Sequence, residues 1–449
     1  MRLFFPRVTL PVHLLDMANF IVVSPGQTTS GGDSGDLFVF RSGAVSGSTV
    51  IGGAGADTLQ LIEGGSARGV SLQTNGGADV FQFSAVDLSG ANVLGGAGGD
   101  TINLSGAGTL GTIGLGAGSD NLVFKGATDL GGNSVKVGGG ADLFTGSEDV
   151  SASGASLLMG AGQDTVTITA SEFGSGKLVG GGGADKINLN IKAGTQYTVQ
   201  GGAGGDTIVI TAALDSGSLL LGNGSDKVTL VGDMSKTSEI LASKGADLIN
   251  LSAATMTDST GLTIGGGAGK DTIEIATAGA GAIVFGGGGN DSIHLDAVDY
   301  GLSTAGAATY SAGASLYTTI QGGVGADSIV FSGSVAASAG YEGVISFSAY
   351  AESTEASQDL ISFDKSAGNS VGFLIDFGGT IATGIAASNK IGDLGTNANG
   401  FLNSAGNNSS VSERISAMNT LLVTGQIGVF KDSSGSAAYL FVQGGSTDL

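Results

Sequence analysis

The chain has no cysteine, no tryptophan, only three prolines and only two histidines among its 449 residues. Disulfides and thiolate metal sites are therefore ruled out, and the common nucleophilic triads and zinc sites lack their residues. Lysine and arginine total 17 against 39 acidic residues, so the net charge is −22. Nucleic acid is not an expected partner, because phosphate binding depends on basic residues. No apolar run reaches the roughly 20 residues of a membrane helix, so we expect no transmembrane segment.

Glycine is abundant, with 85 copies, and much of it belongs to one recurring phrase. The phrase reads Gly52-Gly53-Ala54-Gly55-Ala56-Asp57 and continues as Thr58-Leu59-Gln60-Leu61. Its aspartate recurs as Asp57, Asp79, Asp100, Asp120, Asp142, Asp164, Asp185, Asp206, Asp226, Asp247, Asp271, Asp291 and Asp327. From Asp57 to Asp247 the step is always 20 to 22 residues. A nearly constant period of this length predicts a solenoid.

Positions within a period are numbered here from its aspartate, so that position −2 lies two residues before it. Position −2 is always glycine and position −7 is always aliphatic, from Val50 to Ile320. Positions +2 and +4 are nearly always large and apolar, which is the alternation of a half-buried strand. Each period therefore predicts a strand, a glycine turn with aspartate, a second strand and a looser return. The predicted fold is an all-β, right-handed parallel β-roll or β-helix of about 13 coils of about 21 residues.

The sequence divides into four predicted regions. Residues 1–16 are either a leader or an incorrectly annotated start, and residues 17–44 form an N-terminal cap around Asp36. The roll covers 45–331, with a loop excursion near 297–316. Residues 332–449 form a C-terminal cap of mixed strands and one helix, with a role in assembly or secretion. Within this cap we predict a strand near 371–377, a helix from Ser410 to about Val423, and a closing hairpin from Ile427.

The repeated turn has the chemistry of a calcium site. Calcium prefers six to eight oxygen ligands from carboxylates and backbone carbonyls. Glycine allows conformations that turn carbonyls towards the ion, and the aspartate supplies charge. We therefore predict calcium ions along one edge of the roll, held by the thirteen aspartates. The turn glycines of this predicted site are Gly53, Gly55, Gly96, Gly98, Gly181, Gly183, Gly202, Gly204, Gly287 and Gly289.

Three turns are expected to bind calcium most weakly. The turns before Asp79 and Asp247 lack part of the glycine pair, and Lys270 places a cation beside Asp271. Because unneutralised aspartates on neighbouring coils repel each other, we also expect the metal-free roll to be loosened or unfolded.

The phrase Gly-Gly-x-Gly-x-Asp-x-aliphatic-x-aliphatic resembles the RTX, or haemolysin-type calcium-binding, repeat. The resemblance covers roughly residues 31–331. It implies a calcium-stabilised parallel β-roll, the calcium role of the aspartates and turn glycines, and type I secretion to the cell surface. The RTX nonapeptide gives a turn on both edges of a shorter coil, whereas this chain has the motif once per coil. The C-terminal tail, including Tyr439-Leu440-Phe441-Val442, is similar to RTX proteins of the surface-layer type.

The predicted function is that of a non-enzymatic, calcium-dependent, self-assembling extracellular protein, such as a surface-layer or filament subunit. Its partners would be further copies of itself and a cell-surface glycan. One alternative is an adhesin or virion-surface fibre that binds a receptor, and a further one is a solenoid enzyme acting on polysaccharides. His294 and the pair Glu148 and Asp149 are the residues considered for catalysis, and solvated side chains are the favoured interpretation of both.

Overall fold

The computed structural model describes the repeat region almost continuously and isolated strands beyond it. The described residues are 19–40, 46–61, 66–84, 87–105, 108–109, 111–126, 128–193, 195–257, 261–278, 281–299, 319–331, 335–336, 343–346, 360–363, 373–376, 394–396, 402–404, 427–431 and 438–442. The chain is an all-β parallel solenoid of about 12 turns of about 21 residues, without a helix in this part. It divides into two compact units, residues 1–200 and residues 201–449.

Sheet I contains the strands that follow the aspartates. In the first unit these are β1 (Asn19–Val23), β3 (Asp36–Phe40), β5 (Thr58–Leu61), β7 (Val80–Ser84), β9 (Thr101–Ser105), β12 (Asn121–Lys125), β15 (Leu143–Ser151), β17 (Thr165–Glu172) and β19 (Lys186–Ala193). In the second unit they are β21 (Thr207–Ile210), β24 (Lys227–Leu230), β27 (Leu248–Thr257), β29 (Thr272–Ala278), β31 (Ser292–Asp299), β33 (Ser328–Phe331) and β36 (Leu360–Phe363). Within each unit, every strand pairs in parallel with its equivalent one coil away, as β5 does with β7 and β29 with β31.

Sheet II contains the strands that precede the aspartates. In the first unit these are β2 (Thr28–Ser30), β4 (Thr49–Gly53), β6 (Ser71–Asn75), β8 (Asn92–Ala97), β11 (Thr112–Ala117), β14 (Ser134–Gly139), β16 (Ser156–Ala161) and β18 (Lys177–Gly182), followed by β20 (Thr198–Ala203), which contains the unit boundary. In the second unit they are β23 (Ser218–Asn223), β26 (Glu239–Leu241), β28 (Thr263–Ala268), β30 (Ile283–Gly288), β32 (Thr319–Val324), β35 (Gly343–Ser346) and β37 (Phe373–Asp376). These strands also pair in parallel.

The remaining strands are short or lie near the C-terminus. The short return strands are β10 (Gly108–Thr109), β13 (Thr128–Asp129), β22 (Leu214–Asp215), β25 (Met234–Ser235) and β34 (Val335–Ala336). Two antiparallel pairs follow the solenoid, β38 (Leu394–Thr396) with β39 (Leu402–Ser404) and β40 (Ile427–Lys431) with β41 (Ala438–Val442). The second pair confirms the predicted closing hairpin, and β37 confirms the strand near 371–377. The predicted helix from Ser410 lies outside the described residues.

The core consists of side-chain columns that run from coil to coil. Position −7 is in register between neighbouring coils, as Val50 is with Leu72 and Leu72 with Val93. Position +2 is in register in the same way, as Leu59 is with Phe81. Position +4 is also in register, as Leu61 is with Phe83. These side chains are almost fully buried, so the apolar columns predicted at positions −7, +2 and +4 are confirmed. Because each coil packs mainly on its neighbours, the columns continue for as long as the phase is kept.

The N-terminal coil joins the same pairing. Strand β1 pairs in parallel with β3, and β2 pairs with β4, where Thr29 lies in register with Val50. Asp36 is fully buried like the later phased aspartates.

The excursion predicted at 297–316 begins within β31, and residues 300–316 lie outside the described residues. No helix able to cross a membrane occurs in the described part of the chain.

The aspartate corner needs glycine for two separate reasons. Most glycines at positions −4 and −2 have positive φ, such as 109° at Gly96 and 129° at Gly98, a conformation that costs other residues energy. The neighbouring coil is also very close. A β-carbon on Gly98 would lie under 3.0 Å from the carbonyl oxygen of Gly77, and one on Gly118 would meet Gly98 in the same way. The glycine columns therefore set how closely successive coils approach at this corner.

A second corner, which the sequence pattern did not reveal, returns the chain from sheet I to sheet II. One residue in this corner again has positive φ. It is glycine in several coils, as at Gly47, Gly69 and Gly154, but Ser175, Ser216 and Lys236 adopt φ of 54° to 55° there. Among the described residues this corner has no constant residue type and no carboxylate repeated in phase, so this part of the structure shows no counterpart of the aspartate column there.

Replacing Gly98 by alanine is expected to destabilise the calcium-loaded protein by about 3 kcal/mol, because a positive φ and a backbone clash add together. The measurement is a denaturant or thermal unfolding curve. Gly182→Ala is the matched control, since a β-carbon there meets nothing within 4 Å and φ is not positive. Equal effects of the two substitutions would show that the coil contacts at this corner are not as close as described.

Candidate cation site at the aspartate corner

The phased aspartates point into the solenoid, where water does not reach them. Strand β4 and its equivalents bring the chain to the corner, and each aspartate side chain then lies on the same inward side as the apolar residues at +2 and +4. All thirteen, together with Asp36, have relative exposures of 2% or less. Burying a carboxylate is costly unless its charge is balanced. A whole column of such side chains therefore requires a physical explanation.

One carboxylate oxygen has a well-defined partner. The backbone N–H of each aspartate donates to Oδ1 of the aspartate in the next coil. In the first unit this ladder runs from Asp36 to Asp185, and in the second from Asp206 to Asp327, with N–O distances of 2.7 to 3.0 Å. The carboxylate thus replaces a backbone carbonyl as acceptor at the sharpest point of the coil. This bond fixes the orientation of the side chain.

The other oxygen, Oδ2, is buried and accepts no hydrogen bond from the described protein atoms. This holds for Asp57, Asp79, Asp100, Asp120, Asp142, Asp164, Asp226, Asp247, Asp271 and Asp291. Leaving such an oxygen of an ionised group without a partner costs on the order of several kcal/mol for each of these ten aspartates. Either a proton or a cation would remove that cost.

The electrostatics agree with this geometry. Burial raises the pKa of Asp57 to about 6, and the backbone N–H of Asp36 opposes this shift only in part. Burial raises the pKa of Asp100 and of Asp291 to about 7, with the neighbouring aspartates of the column adding to the shift. These carboxyl groups therefore ionise less readily than exposed ones when only protein surrounds them, and a bound cation would favour their ionised form.

A backbone carbonyl of the next coil lies close to Oδ2. A β-carbon placed on Gly266 would lie within 3.0 Å of both Asp271 Oδ2 and the carbonyl oxygen of Gly286. A β-carbon on Gly286 would meet Asp291 Oδ2 and the carbonyl oxygen of Gly322 in the same way. Oδ2 of the aspartate and the carbonyl oxygen at position −5 of the next coil thus both lie close to the glycine at position −5, where a side chain would collide with them.

The donor set suits a hard cation and no soft one. Among the described residues no group of three or more histidine, cysteine or acidic side chains is gathered for a metal. An ion here would depend on one carboxylate per coil and on backbone carbonyls. Such all-oxygen ligands are those that calcium uses, and a cation would balance the charge of the carboxylates whose Oδ2 has no hydrogen-bond partner, such as Asp100 and Asp271. The residues present therefore fit calcium.

The structure brings the predicted site residues together at one corner, as expected from their phase. Gly53, Gly96, Gly181, Gly202 and Gly287 take position −4 with positive φ, and Gly98, Gly183, Gly204 and Gly289 take position −2 likewise. Gly55 occupies position −2 without positive φ. A β-carbon on it would still collide with the backbone of Ser34 and Gly35. Lys270 is exposed although Asp271 beside it is buried.

Position −5 is the first residue of the recurring phrase, as at Gly52, but the sequence analysis gave it no separate role. Its residue type varies, being glycine in some coils and Thr74 or Leu115 in others. Only the structure shows that it lies against Oδ2 of its own aspartate and against a carbonyl of the next coil, as Gly266 lies against Asp271 and Gly286. Comparison of the chain with protein-family models, with curated proteins and with solved structures found no match.

Proposed function

We propose that this protein is a calcium-stabilised, non-enzymatic structural solenoid of the RTX type that works outside the cell and assembles with copies of itself. The observation that carries the proposal is the column of buried carboxylates, in which side chains such as Asp100 and Asp271 have Oδ1 bonded to the backbone and Oδ2 without a hydrogen-bond partner among the described protein atoms. A column of this kind depends on positive charge supplied from outside the chain. Extracellular calcium, at about millimolar concentration, matches the weak affinities of extracellular calcium modules.

The residues that would hold calcium are the phased aspartates through Oδ2, the carbonyls at −5 of the following coil, and the turn glycines through their carbonyls. Bound calcium would supply the charge that lets the carboxylates stay ionised inside the solenoid. Because most of the described chain forms the coils themselves, the main effect of calcium binding would be to hold the coils folded and to make their surface rigid. Type I secretion and a surface-layer or filament role remain part of this proposal and are based on the resemblance of the repeat.

Calcium is expected to drive folding at pH 8. Protein stripped of metal should show a weaker strand signal by circular dichroism, and millimolar calcium should restore it, because the ions remove both the repulsion between carboxylates and the unbalanced buried charge. Magnesium at the same concentration is the control, since it loses its water shell reluctantly and should restore less. The same strand content with excess chelator as with calcium would contradict the calcium-dependent part of the proposal.

The same calcium-loaded protein, viewed by negative-stain microscopy and by sedimentation, tests the assembly part. Sheets or filaments are expected at high protein concentration, and chelator should disperse them. Particles that stay monomeric in calcium at high concentration would contradict self-assembly and favour a receptor-binding fibre instead.

A further inference from the structure

The outer face of sheet II carries a column of apolar side chains. Along its strands the inward positions −7 and −5 alternate with the outward positions −8 and −6, as the burial of β16 and β23 shows. Position −6 is in register between neighbouring coils, as Leu158 is with Val179 and Leu220 with Leu241. Seven of the thirteen coils have a large apolar residue there, and these residues form the apolar ridge: Ile51, Leu94, Leu158, Val179, Leu220, Leu241 and Phe285.

The ridge is in contact with solvent although it is apolar. Leu94 is 39% exposed, and Ile283, at position −8 beside Phe285, is 40% exposed. Where position −6 is glycine, an apolar side chain of a neighbouring coil leans over it, as the ring of Phe285 does over Gly265 and Leu94 does over Gly114. A depression of about 320 Å³ with an almost entirely apolar lining lies at Gly114. The outer face of sheet II therefore has both apolar protrusions and an apolar recess.

A strip without side chains runs beside the ridge. Position −4, the next outward position, is glycine in eleven of the thirteen coils, and these residues form the glycine strip. Positions −8, −6 and −4 together contain only three charged residues, Lys136, Lys177 and Glu239. The outer column of sheet I at position +3 differs, because most of its residues carry an amide or a hydroxyl, as Gln60 and Gln82 do. Although the net charge of the chain is −22, two copies of the sheet II face can therefore approach with little repulsion.

We propose that copies of this protein pair through the outer face of sheet II, with the apolar ridge of one copy on the glycine strip of the other. This inference rests on the proposed function, since it names the surface through which calcium-loaded copies associate. A twofold axis parallel to the direction of coil stacking places ridge on strip in both copies at once. Because both copies repeat at the same strand spacing of about 4.8 Å, the contact made by one coil recurs in the next. A partner with another spacing would lose this match after a few coils.

The size of the face predicts a reversible contact. Positions −8 to −4 span roughly 16 Å along a strand and coils lie about 4.8 Å apart, which gives roughly 80 Å² per coil. The seven coils of the first unit from Asp57 to Asp185 therefore present roughly 550 Å², compared with about 800 Å² per partner in a standard interface. Pairing should thus depend on protein concentration. It should also depend on calcium, which keeps the coils folded in the proposed function.

The test introduces like charges on two neighbouring coils of the ridge, by Leu220→Glu with Leu241→Glu. Sedimentation velocity over a range of protein concentrations, at pH 8 in millimolar calcium, measures the dissociation constant of the pair. It should rise more than about tenfold, because like charges then lie near each other across the contact. The matched control is Val209→Glu with Thr229→Glu, two partly exposed residues in register on the outer face of sheet I. The control should pair as the unchanged protein does.

A variant of opposite charge tests whether the same face meets itself. Leu220→Lys with Leu241→Lys should also fail to pair with its own copies, but it should pair with the glutamate variant when the two are mixed, because opposite charges then lie across the contact. This recovery cannot come from a variant that is misfolded. Circular dichroism in calcium should show the same strand signal for all the variants and for the unchanged protein.

The other outcomes separate this inference from the proposed function. A glutamate variant that pairs as tightly as the unchanged protein, or a glutamate and lysine mixture that does not pair, would overturn the inference and leave calcium-dependent folding intact. A dilute, monomeric glutamate variant that unfolds at a lower temperature than the sheet I control would show that the same chain covers this face, which also overturns the inference. An unchanged protein that stays monomeric at high concentration in calcium would overturn the assembly part of the proposed function together with this inference.

Discussion

Without calcium, the protein is expected to lose stability as the pH rises from 5 to 8. The buried carboxyls have a higher pKa in the folded state, about 6 for Asp57 and Asp164 and about 7 for Asp100 and Asp291, than the value near 3.9 of an unfolded chain. Between these pH values the folded state binds more protons than the unfolded state, so the free energy of unfolding falls with rising pH. The stabilisation is complete below about pH 4 and lost above about pH 7.

The effect is large because a raised carboxyl pKa recurs in many coils. Each unit of pKa shift corresponds to about 1.4 kcal/mol, and burial raises the pKa of carboxyls along both units. The loss of stability is measured by thermal unfolding at pH 5, 6, 7 and 8, on protein that a chelating resin has stripped of metal. Added calcium should restore stability at pH 8 and change it little at pH 5, where protons already neutralise the column. An unfolding midpoint that is constant or rises with pH in metal-free protein would contradict the description of the carboxylate column.

The fold was predictable from the sequence because the residue pattern of a single coil already indicates its two strands and the turn between them. Aliphatic residues at −7 and apolar residues at +2 and +4 can form continuous columns only if each strand lies in register with its equivalent, as Leu59 does with Phe81. A shift by one residue would turn every such side chain to solvent. The repetition of the pattern therefore fixed strands, register and core together. The second corner was not predicted. Its positive φ is adopted by Ser175 and Lys236 in some coils and by Gly154 in another, so no residue type repeats there.

The candidate site was predictable in its location and not in its internal arrangement. The phase of Asp100 and Gly98 placed carboxylate and turn glycine at one corner. That Oδ1 of Asp100 accepts from the N–H of Asp79 follows only from the stagger of neighbouring coils. The same stagger brings the carbonyl oxygen of Leu115, in the next coil, close to Gly95. Contacts between coils, unlike patterns within a coil, leave no constant residue type in the sequence.

Replacing Asp271 and Asp291 together by asparagine is expected to stabilise the metal-free protein at pH 8 and to weaken its response to calcium. Asparagine keeps an oxygen that can accept the backbone N–H now bonded to Oδ1. Its amide group, in the place of Oδ2, can donate towards the carbonyls of Gly286 and Gly322. The substitution therefore removes two buried charges and gives the atom in the place of each Oδ2 a hydrogen-bond partner. This should raise the free energy of unfolding by roughly 1 to 3 kcal/mol per site. It also removes the carboxylates that would bind two of the ions.

The comparison needs a control that removes the same charge from the surface. Asp129→Asn with Asp233→Asn serves, because both side chains are exposed and neither belongs to the buried column. The column variant should unfold at a higher temperature than the unchanged protein in chelator, bind two fewer calcium ions, and depend less on pH between 5 and 8. The surface variant should leave all three quantities nearly unchanged. A column variant that is less stable than the unchanged protein in chelator would mean that the carboxylates are not held as orphaned charges, because removing an unbalanced buried charge can only raise the stability of the metal-free state.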